Sequence, residues 1–127
     1  MDILISQTSK TPLYQQIKEQ IKEHVWKGKL QEGDSLPSMR TLAKNLQVSV
    51  ITTKRAYEEL ESEGFIFSSV GKGTFIAGQQ SHVLKEWQIR ELENQLEKIV
   101  LEAKRLGLTD TDIKAMVEIY YRDGDTN

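Results

Sequence analysis

Apolar residues recur every fourth position near the start of the chain, a spacing that places them on one face of an α-helix. This stripe consists of Leu13, Ile17, Ile21 and Val25. Thr11 and Pro12 stand just before it, where Thr favours the N-cap and Pro the first helical position. Gly28 follows the last apolar residue. The pattern therefore predicts a helix that begins at Thr11-Pro12 and ends near Gly28.

Two shorter helices are predicted after a polar turn with the sequence QEGDSLP (31–37). Ser38 is placed to cap a helix that runs through Asn45, and Ser49 to cap one that runs to about Glu63. Gln47-Val48 leaves room only for a tight connection between them. The residues expected to face inward are Leu42, Ala43, Leu46, Ala56, Tyr57 and Leu60.

The period changes after Gly64. The segments FIFSS (65–69) and TFIAG (74–78) are short and rich in aromatic and β-branched residues, and Val70-Gly71-Lys72-Gly73 separates them. This arrangement predicts a β-hairpin with a glycine-rich turn. Because a lone hairpin is marginal in water, it must pack against the helices. Residues 1–78 are thus predicted to form a winged helix-turn-helix, mainly α with a small β-hairpin.

The remaining residues, 79–127, are predicted to form a two-helix hairpin that dimerises. A heptad seam runs along the first helix, which Gly107 ends, and Leu84, Trp87 and Val100 widen its apolar stripe. Thr109 and Asp110 offer a new helix start, and Ile113, Met116, Val117 and Tyr120 follow on one face. The residues expected in the dimer are Trp87, Ile89, Leu92, Leu96, Ile99, Ala103 and Leu106.

Both the seam and Trp87 have an alternative. The seam could pack only on the final helix of its own chain, but two helices without a third layer leave apolar surface exposed, and a symmetric dimer would cover it. Trp87 could be the lid of a small pocket or a dimer anchor. The enrichment of aromatic residues in interface cores favours the anchor.

Composition excludes several classes of function. The 127 residues contain no cysteine, which removes thiolate chemistry and fits a reducing, cytoplasmic setting. No apolar run is long enough to cross a membrane, and the N-terminus lacks a signal pattern. The two histidines, His24 and His82, have no partner at metal-ligand spacing, so no metal or other cofactor is expected. No nucleophile–base pair or phosphate loop can be named, which argues against an enzyme.

Charge is distributed in a way that the net charge of -2 conceals. The 23 residues from Ser35 to Tyr57 contain no Asp or Glu, yet they carry Arg40, Lys44, Lys54 and Arg55. Both predicted helix N-termini, which attract phosphate through unpaired N–H groups, lie in this stretch. In a helix-turn-helix the start of the second helix enters the major groove. The stretch is therefore predicted to face DNA.

Four ordered motifs resemble the DNA-binding domain of GntR-family bacterial transcription regulators, over about residues 10–78. They are PLYQQI (12–17), LPSMRTLA (36–43), RAYEELESEGFI (55–66) and GKGTFIA (71–77). The short C-terminal segment is similar to that of the YtrA subfamily, since about 50 residues cannot hold a large effector domain. The resemblance implies a homodimeric repressor, often of transporter operons, that binds an inverted-repeat operator. It leaves any small-molecule effector, the operator sequence and the target genes unnamed.

The resemblance also implies roles for individual residues. Arg40 corresponds to the arginine that anchors on the backbone and reaches bases, and Lys72 to the tip of a wing in the minor groove. The full set expected to contact DNA is Ser38, Arg40, Ser49, Val50, Thr52, Thr53, Lys54, Gly71 and Lys72. The family often has Arg or Pro-Asn after the Ser49 position, but Val50-Ile51 stands here. A branched apolar side chain there suits a thymine methyl rather than guanine.

A different class of function stays open at this stage. A winged helix can serve as a protein-interaction module without binding DNA, because a fold does not fix its function. Such a module has no need to keep both helix N-termini and the wing tip positive together, so the carboxylate-free stretch favours DNA binding.

Overall fold

A computed structural model describes residues 1–78 and 82–125 of the chain. Within those ranges the elements follow the predicted order, with one additional strand. Their bounds are α1 (Leu13–Trp26), β1 (Ser35–Leu36), α2 (Met39–Leu46), α3 (Val50–Ser62), β2 (Ile66–Ser69), β3 (Gly73–Ile76), α4 (His82–Arg105) and α5 (Asp110–Asp125).

The start of α1 lies one residue later than predicted. Pro12, not Thr11, occupies the N-cap position, where its carbonyl accepts a hydrogen bond from the Gln16 N–H at 3.1 Å. No side chain caps this end. The predicted stripe is confirmed, since Ile17, Ile21 and Val25 are buried.

The two serine caps are confirmed. Ser38 Oγ accepts a hydrogen bond from the Thr41 N–H at 3.1 Å, and Ser49 Oγ accepts one from the Thr52 N–H at 3.2 Å. Between the helices, Gln47 adopts a left-handed conformation with φ of 57°. This conformation ends α2 abruptly and allows α3 to start three residues later.

The sheet has a third strand that the sequence reading missed. β1 lies in the segment predicted as a polar turn and pairs antiparallel with β3, joining Ser35 to Phe75 and Leu36 to Thr74. The strand order is therefore β1-β3-β2. A strand of two residues is too short to show the alternation that identifies strands in a sequence.

A second missed feature joins the N-terminal residues to α1. The Gln16 carboxamide exchanges two hydrogen bonds with the Ser6 backbone (2.9 and 3.0 Å), and that of Gln20 exchanges two with Leu4 (2.8 and 2.6 Å). Two extended residues span about 6.6 Å, and four residues of a helix rise about 6 Å. The N-terminal backbone and α1 therefore advance by nearly the same distance between the two bonded pairs. Ile5, between the bonded residues, packs against the core, and Ile3, just before Leu4, is buried in it.

The chain divides into two compact units, Met1–Gln88 and Ile89–Asn127. The predicted boundary after residue 78 falls ten residues earlier, and the predicted start of the second segment, 79–81, lies outside the described residues. The head of α4 belongs to the first unit, because Leu84 is buried in that unit's core.

Trp87 requires a correction. Its ring lies 5.0 Å from that of Phe65 and 6.2 Å from that of Trp26, centroid to centroid, with both pairs edge-on. Trp87 thus packs within the first unit, where it is partly buried against the core. The prediction placed it in the dimer because aromatic residues are enriched in interface cores, and helical spacing alone cannot tell which neighbour a stripe residue meets.

In the second unit, α5 begins where predicted. The Thr109 hydroxyl accepts a hydrogen bond from the Asp112 N–H at 3.3 Å, and the Asp112 carboxylate accepts one from the Thr109 N–H at 2.8 Å. This reciprocal pair is a capping box. Among the predicted seam residues of this unit, all of which the structure describes, Ala103 alone is buried. An apolar groove of about 490 Å³ is lined by Leu96, Val100, Ala103, Leu108, Ile113 and Val117.

Candidate nucleic-acid interface

Basic side chains of α2 and α3 are exposed to solvent. Arg40 lies in the first turn of α2 and Lys44 in its last turn, and Lys54 lies just after the first turn of α3. In the part of the chain that the structure describes, neither Arg40 nor Lys44 contacts a carboxylate. Lys54 Nζ lies 3.8 Å from Glu58 Oε1, and such an exposed pair contributes little and is readily exchanged for another anion.

Arg55, the fourth basic residue of the carboxylate-free stretch, has a different role. Its Nε donates to Glu59 Oε2 at 3.0 Å, which raises the pKa of the guanidinium, and its Cζ lies 3.8 Å from the centroid of the Tyr14 ring. These contacts hold the side chain against α1. Arg55 therefore belongs to the packing of α1 on α3.

Two of the carboxylates that follow the carboxylate-free stretch, those of Glu59 and Glu63, form ion pairs within the first unit. Lys18 has a side chain only 5% exposed, and its Nζ lies 2.7 Å from Glu59 Oε1 and 3.2 Å from Glu63 Oε1. Burial opposes the charge on Lys18, but hydrogen bonds to Glu59 and Glu63 outweigh it, so the pKa of Lys18 is raised. The hydrogen bond from Lys18, followed by that from Arg55, lowers the pKa of Glu59.

This network predicts an acid-sensitive stability term. Because the pKa of Glu59 is lowered by folding, its carboxylate stabilises the fold fully above its ordinary value of 4.5, and the contribution is lost as pH falls through the folded-state pKa. Glu59→Gln should therefore be less stable than the wild type at neutral pH. The difference should shrink below pH 4.5, as followed by urea unfolding.

Glu58→Gln is the matched control for Glu59→Gln, since it removes the same charge from a carboxylate whose nearest cation, Lys54, is 3.8 Å away at the surface. We expect it to change stability little at any pH. An equal, pH-independent loss in both variants would contradict the proposed role of Glu59.

Thr53 was predicted to contact DNA, and the structure corrects this. Its side chain is fully buried. Its hydroxyl is a donor to two backbone carbonyl oxygens, that of Met39 at 2.9 Å and that of Val50 at 3.0 Å. Thr53 thus links α3 to the start of α2. The sequence contained the signal, because Thr53 precedes the buried Ala56, Tyr57 and Leu60 by helical spacing.

The other predicted hydroxyls are at the helix starts but are engaged in capping. Ser38 Oγ donates to Thr41 Oγ1 at 2.9 Å, and Ser49 Oγ lies 2.9 Å from Thr52 Oγ1. These bonds fix the first turn of each helix. Val50, which directly follows Ser49, is exposed.

The wing tip is built by two glycines with positive φ. Gly71 has φ of 75° and Gly73 of 117°, and the turn is closed by the Lys72 N–H, which donates to the Ser69 carbonyl at 3.0 Å. The Lys72 side chain is exposed at this tip and meets no carboxylate within the described ranges. Val70, beside it, is fully exposed.

The predicted residues other than Thr53 thus occupy three places on the first unit. Ser38 and Arg40 are at the start of α2, and Gly71 and Lys72 are at the hairpin tip. The residues at the start of α3 are Ser49, Val50, Thr52 and Lys54. Three exposed residues were not among those predicted, namely Lys44, Ile51 and Val70. Their positions could have identified them in the sequence, because Lys44 and Ile51 lie in the carboxylate-free stretch and Val70 lies in the wing turn.

A helix pair with basic N-termini, followed by an antiparallel hairpin, defines the class of winged helix-turn-helix DNA-binding proteins. A family model described as "Bacterial regulatory proteins, gntR family" matches residues 13–76. The chain belongs to the GntR family of bacterial transcription regulators, as its motifs predicted.

Individual relatives agree with this assignment. The chain is 38% identical to the HTH-type transcriptional repressor YtrA of Bacillus subtilis over 84% of its own length and 82% of that protein's. It resembles a structure titled as a transcriptional antiterminator from Listeria monocytogenes EGD-e, with TM-score 0.63, 35% identity and coverage of 97% and 92%. The AraR DNA-binding domain in complex with operator ORX1 has TM-score 0.54 and 30% identity, with coverage of 61% and 96%.

Several other relatives are longer regulators, of which the chain spans between 14% and 36%. What those proteins do outside the shared region does not transfer to this chain. The family and its members are transcription regulators rather than enzymes, which agrees with the sequence prediction. Of the two functions that the sequence left open, family membership supports DNA-binding transcription regulation.

Within residues 1–78 and 82–125, no helix combines the length and apolar character needed to span a bilayer. No group of three or more His, Cys, Asp or Glu side chains in those ranges could hold a metal ion.

Proposed function

We propose that this chain is a cytoplasmic, homodimeric repressor that binds an inverted-repeat operator of a nearby operon, such as one for a transporter. The observation that carries the proposal is that the basic side chains of the chain fall into two groups. Arg40, Lys44 and Lys72 stand exposed without a carboxylate partner in the described ranges, whereas Lys18 and Arg55 are tied into the fold. Positive charge is thus kept for an external partner on α2 and on the wing.

The location of those charges suits a duplex. The starts of α2 and α3 add unpaired backbone N–H groups to the basic side chains, which favours phosphate. The hairpin tip supplies a third contact through Lys72. This arrangement supports docking with α3 in the major groove and the basic wing beside it.

Salt dependence tests the DNA-binding part of the proposal. If Arg40, Lys44 and Lys72 each neutralise one phosphate, a dimer makes about six contacts, and the slope of log K against log salt is about -5. Lys72→Ala should reduce the magnitude of that slope by about 2. The measurement is fluorescence anisotropy with duplex DNA from upstream of the chain's own gene. A slope that Lys72→Ala leaves unchanged would remove the wing from the interface.

A dimer is supported by the surface of the second unit. Leu92, Leu96 and Ile99 are about half exposed or more, as are Leu106, Met116 and Tyr120. Contiguous apolar surface of this kind marks an interaction site. Because the exposed residues follow a heptad seam, the occupant that fits them is the same helix of a second copy. A two-fold dimer then matches a two-fold-related operator.

Repression in particular rests on relatives. YtrA of Bacillus subtilis, which the chain matches over most of its length, carries the description of a transcriptional repressor. A dimer bound over promoter DNA would repress by occupying the site. This mechanism requires binding only and no chemical step.

A further inference from the structure

We propose that Ile51 is a specificity-determining residue that reads the 5-methyl group of a thymine in the major groove. This inference rests on the proposed function and names one base that each half-site should contain.

Folding does not explain an isoleucine at this position. Ile51 is 80% exposed, whereas its neighbour Val50 is 41% exposed. A β-branched residue is a weaker helix former than alanine, so Ile51 lowers the intrinsic stability of α3 while burying little of its side chain. The side chain is therefore explained by a partner that lies outside this chain.

The polar groups of the same turn are already engaged. The Ser49 and Thr52 hydroxyls bond each other, Ser49 also accepts from the Thr52 N–H, and Thr53 is buried between helices. The side chains left to meet a base edge at this helix start are Ile51, Val50 and Lys54. Of these, Ile51 is the most exposed apolar group, and it lies three residues from Lys54 on the same helix face.

The chemistry of the groove selects the partner. Among the four bases, thymine alone presents a methyl group in the major groove, and apolar side chains recognise it there. Carboxylates, which phosphates would repel, are absent from Ser35 to Tyr57. A branched apolar side chain surrounded by positive charge therefore fits a thymine edge flanked by phosphates.

The test removes only the methyl group. An operator duplex obtained by selection from random DNA is resynthesised with single thymines of each half-site replaced by deoxyuridine, which pairs identically. Wild-type affinity should fall about fourfold per half-site at one thymine position, as expected for one lost methyl contact. Ile51→Ala should bind the thymine and deoxyuridine duplexes equally. Leu4→Ala, which trims another exposed apolar residue, should keep the wild-type response.

The outcomes separate this inference from the proposed function. If wild-type protein binds the operator selectively but no deoxyuridine weakens it, or if Ile51→Ala keeps the same sensitivity, the inference is wrong and the regulator assignment stands. If the folded protein selects no DNA sequence, the proposed function fails, and the inference with it.

Discussion

Replacing Lys54 with alanine is expected to lower affinity for the operator by about 10- to 100-fold, while the dimer stays intact. Lys54 lies just after the first turn of α3, is exposed, and has only a 3.8 Å surface contact with Glu58. A base-edge contact from such a position contributes about 1–3 kcal/mol of discrimination. Binding to unrelated DNA, which depends on total charge, should change much less.

The measurement is the ratio of Kd values for operator and scrambled duplex at one salt concentration. Lys98→Ala is the matched control, since it removes the same charge from an exposed position of α4 outside the heptad seam. The control should keep the wild-type ratio. An unchanged ratio for Lys54→Ala would mean that Lys54 does not read bases.

Leu96→Asp is expected to separate the dimer and, through it, to weaken operator binding by about a hundredfold or more. Leu96 lies in the seam, lines the groove between α4 and α5, and is 49% exposed in the single chain. An aspartate there would be buried without a partner in a dimer but solvated in a monomer. Loss of the second half-site removes the effective-concentration advantage, which is typically 10²–10⁴.

Asn94→Asp provides the matched control, because it adds the same charge to the same helix at an exposed position outside the seam. Sedimentation equilibrium should show a monomer for Leu96→Asp and a dimer for the control. A dimer in both variants would place the interface elsewhere, and a monomeric wild type would end the dimer proposal.

The helices and their caps were predictable because their signals are local. Ser38 and Ser49 precede apolar residues at helical spacing, and each accepts the expected hydrogen bond from the backbone. The buried face of α1 followed from a regular interval of four. These features depend on a few neighbouring residues, so one sequence is enough to find them.

What could not be predicted depends on partners distant in sequence. β1 exists because Leu36 pairs with Thr74. The N-terminal residues are joined to α1 because Gln16 and Gln20 bond to the backbone of Ser6 and Leu4. Two-residue strands and lone glutamines have no recognisable pattern of their own.

Predicted site residues differ in the same way. Arg40, Lys54 and Lys72 are exposed as the charge pattern indicated. Arg55 is also exposed, but it is paired with Glu59 and stacked on Tyr14 of α1. Charge alone does not tell a basic residue that is available to a partner from one that is engaged within the fold. Thr53 shows that a polar residue on a recognition helix can belong to the buried stripe.

The most direct test of the regulator assignment is selection of duplexes from a random DNA library by the purified protein at near-physiological salt, followed by sequencing. The predicted result is an enriched inverted repeat whose half-sites share a thymine. A protein that is folded by circular dichroism yet enriches no sequence would contradict the assignment.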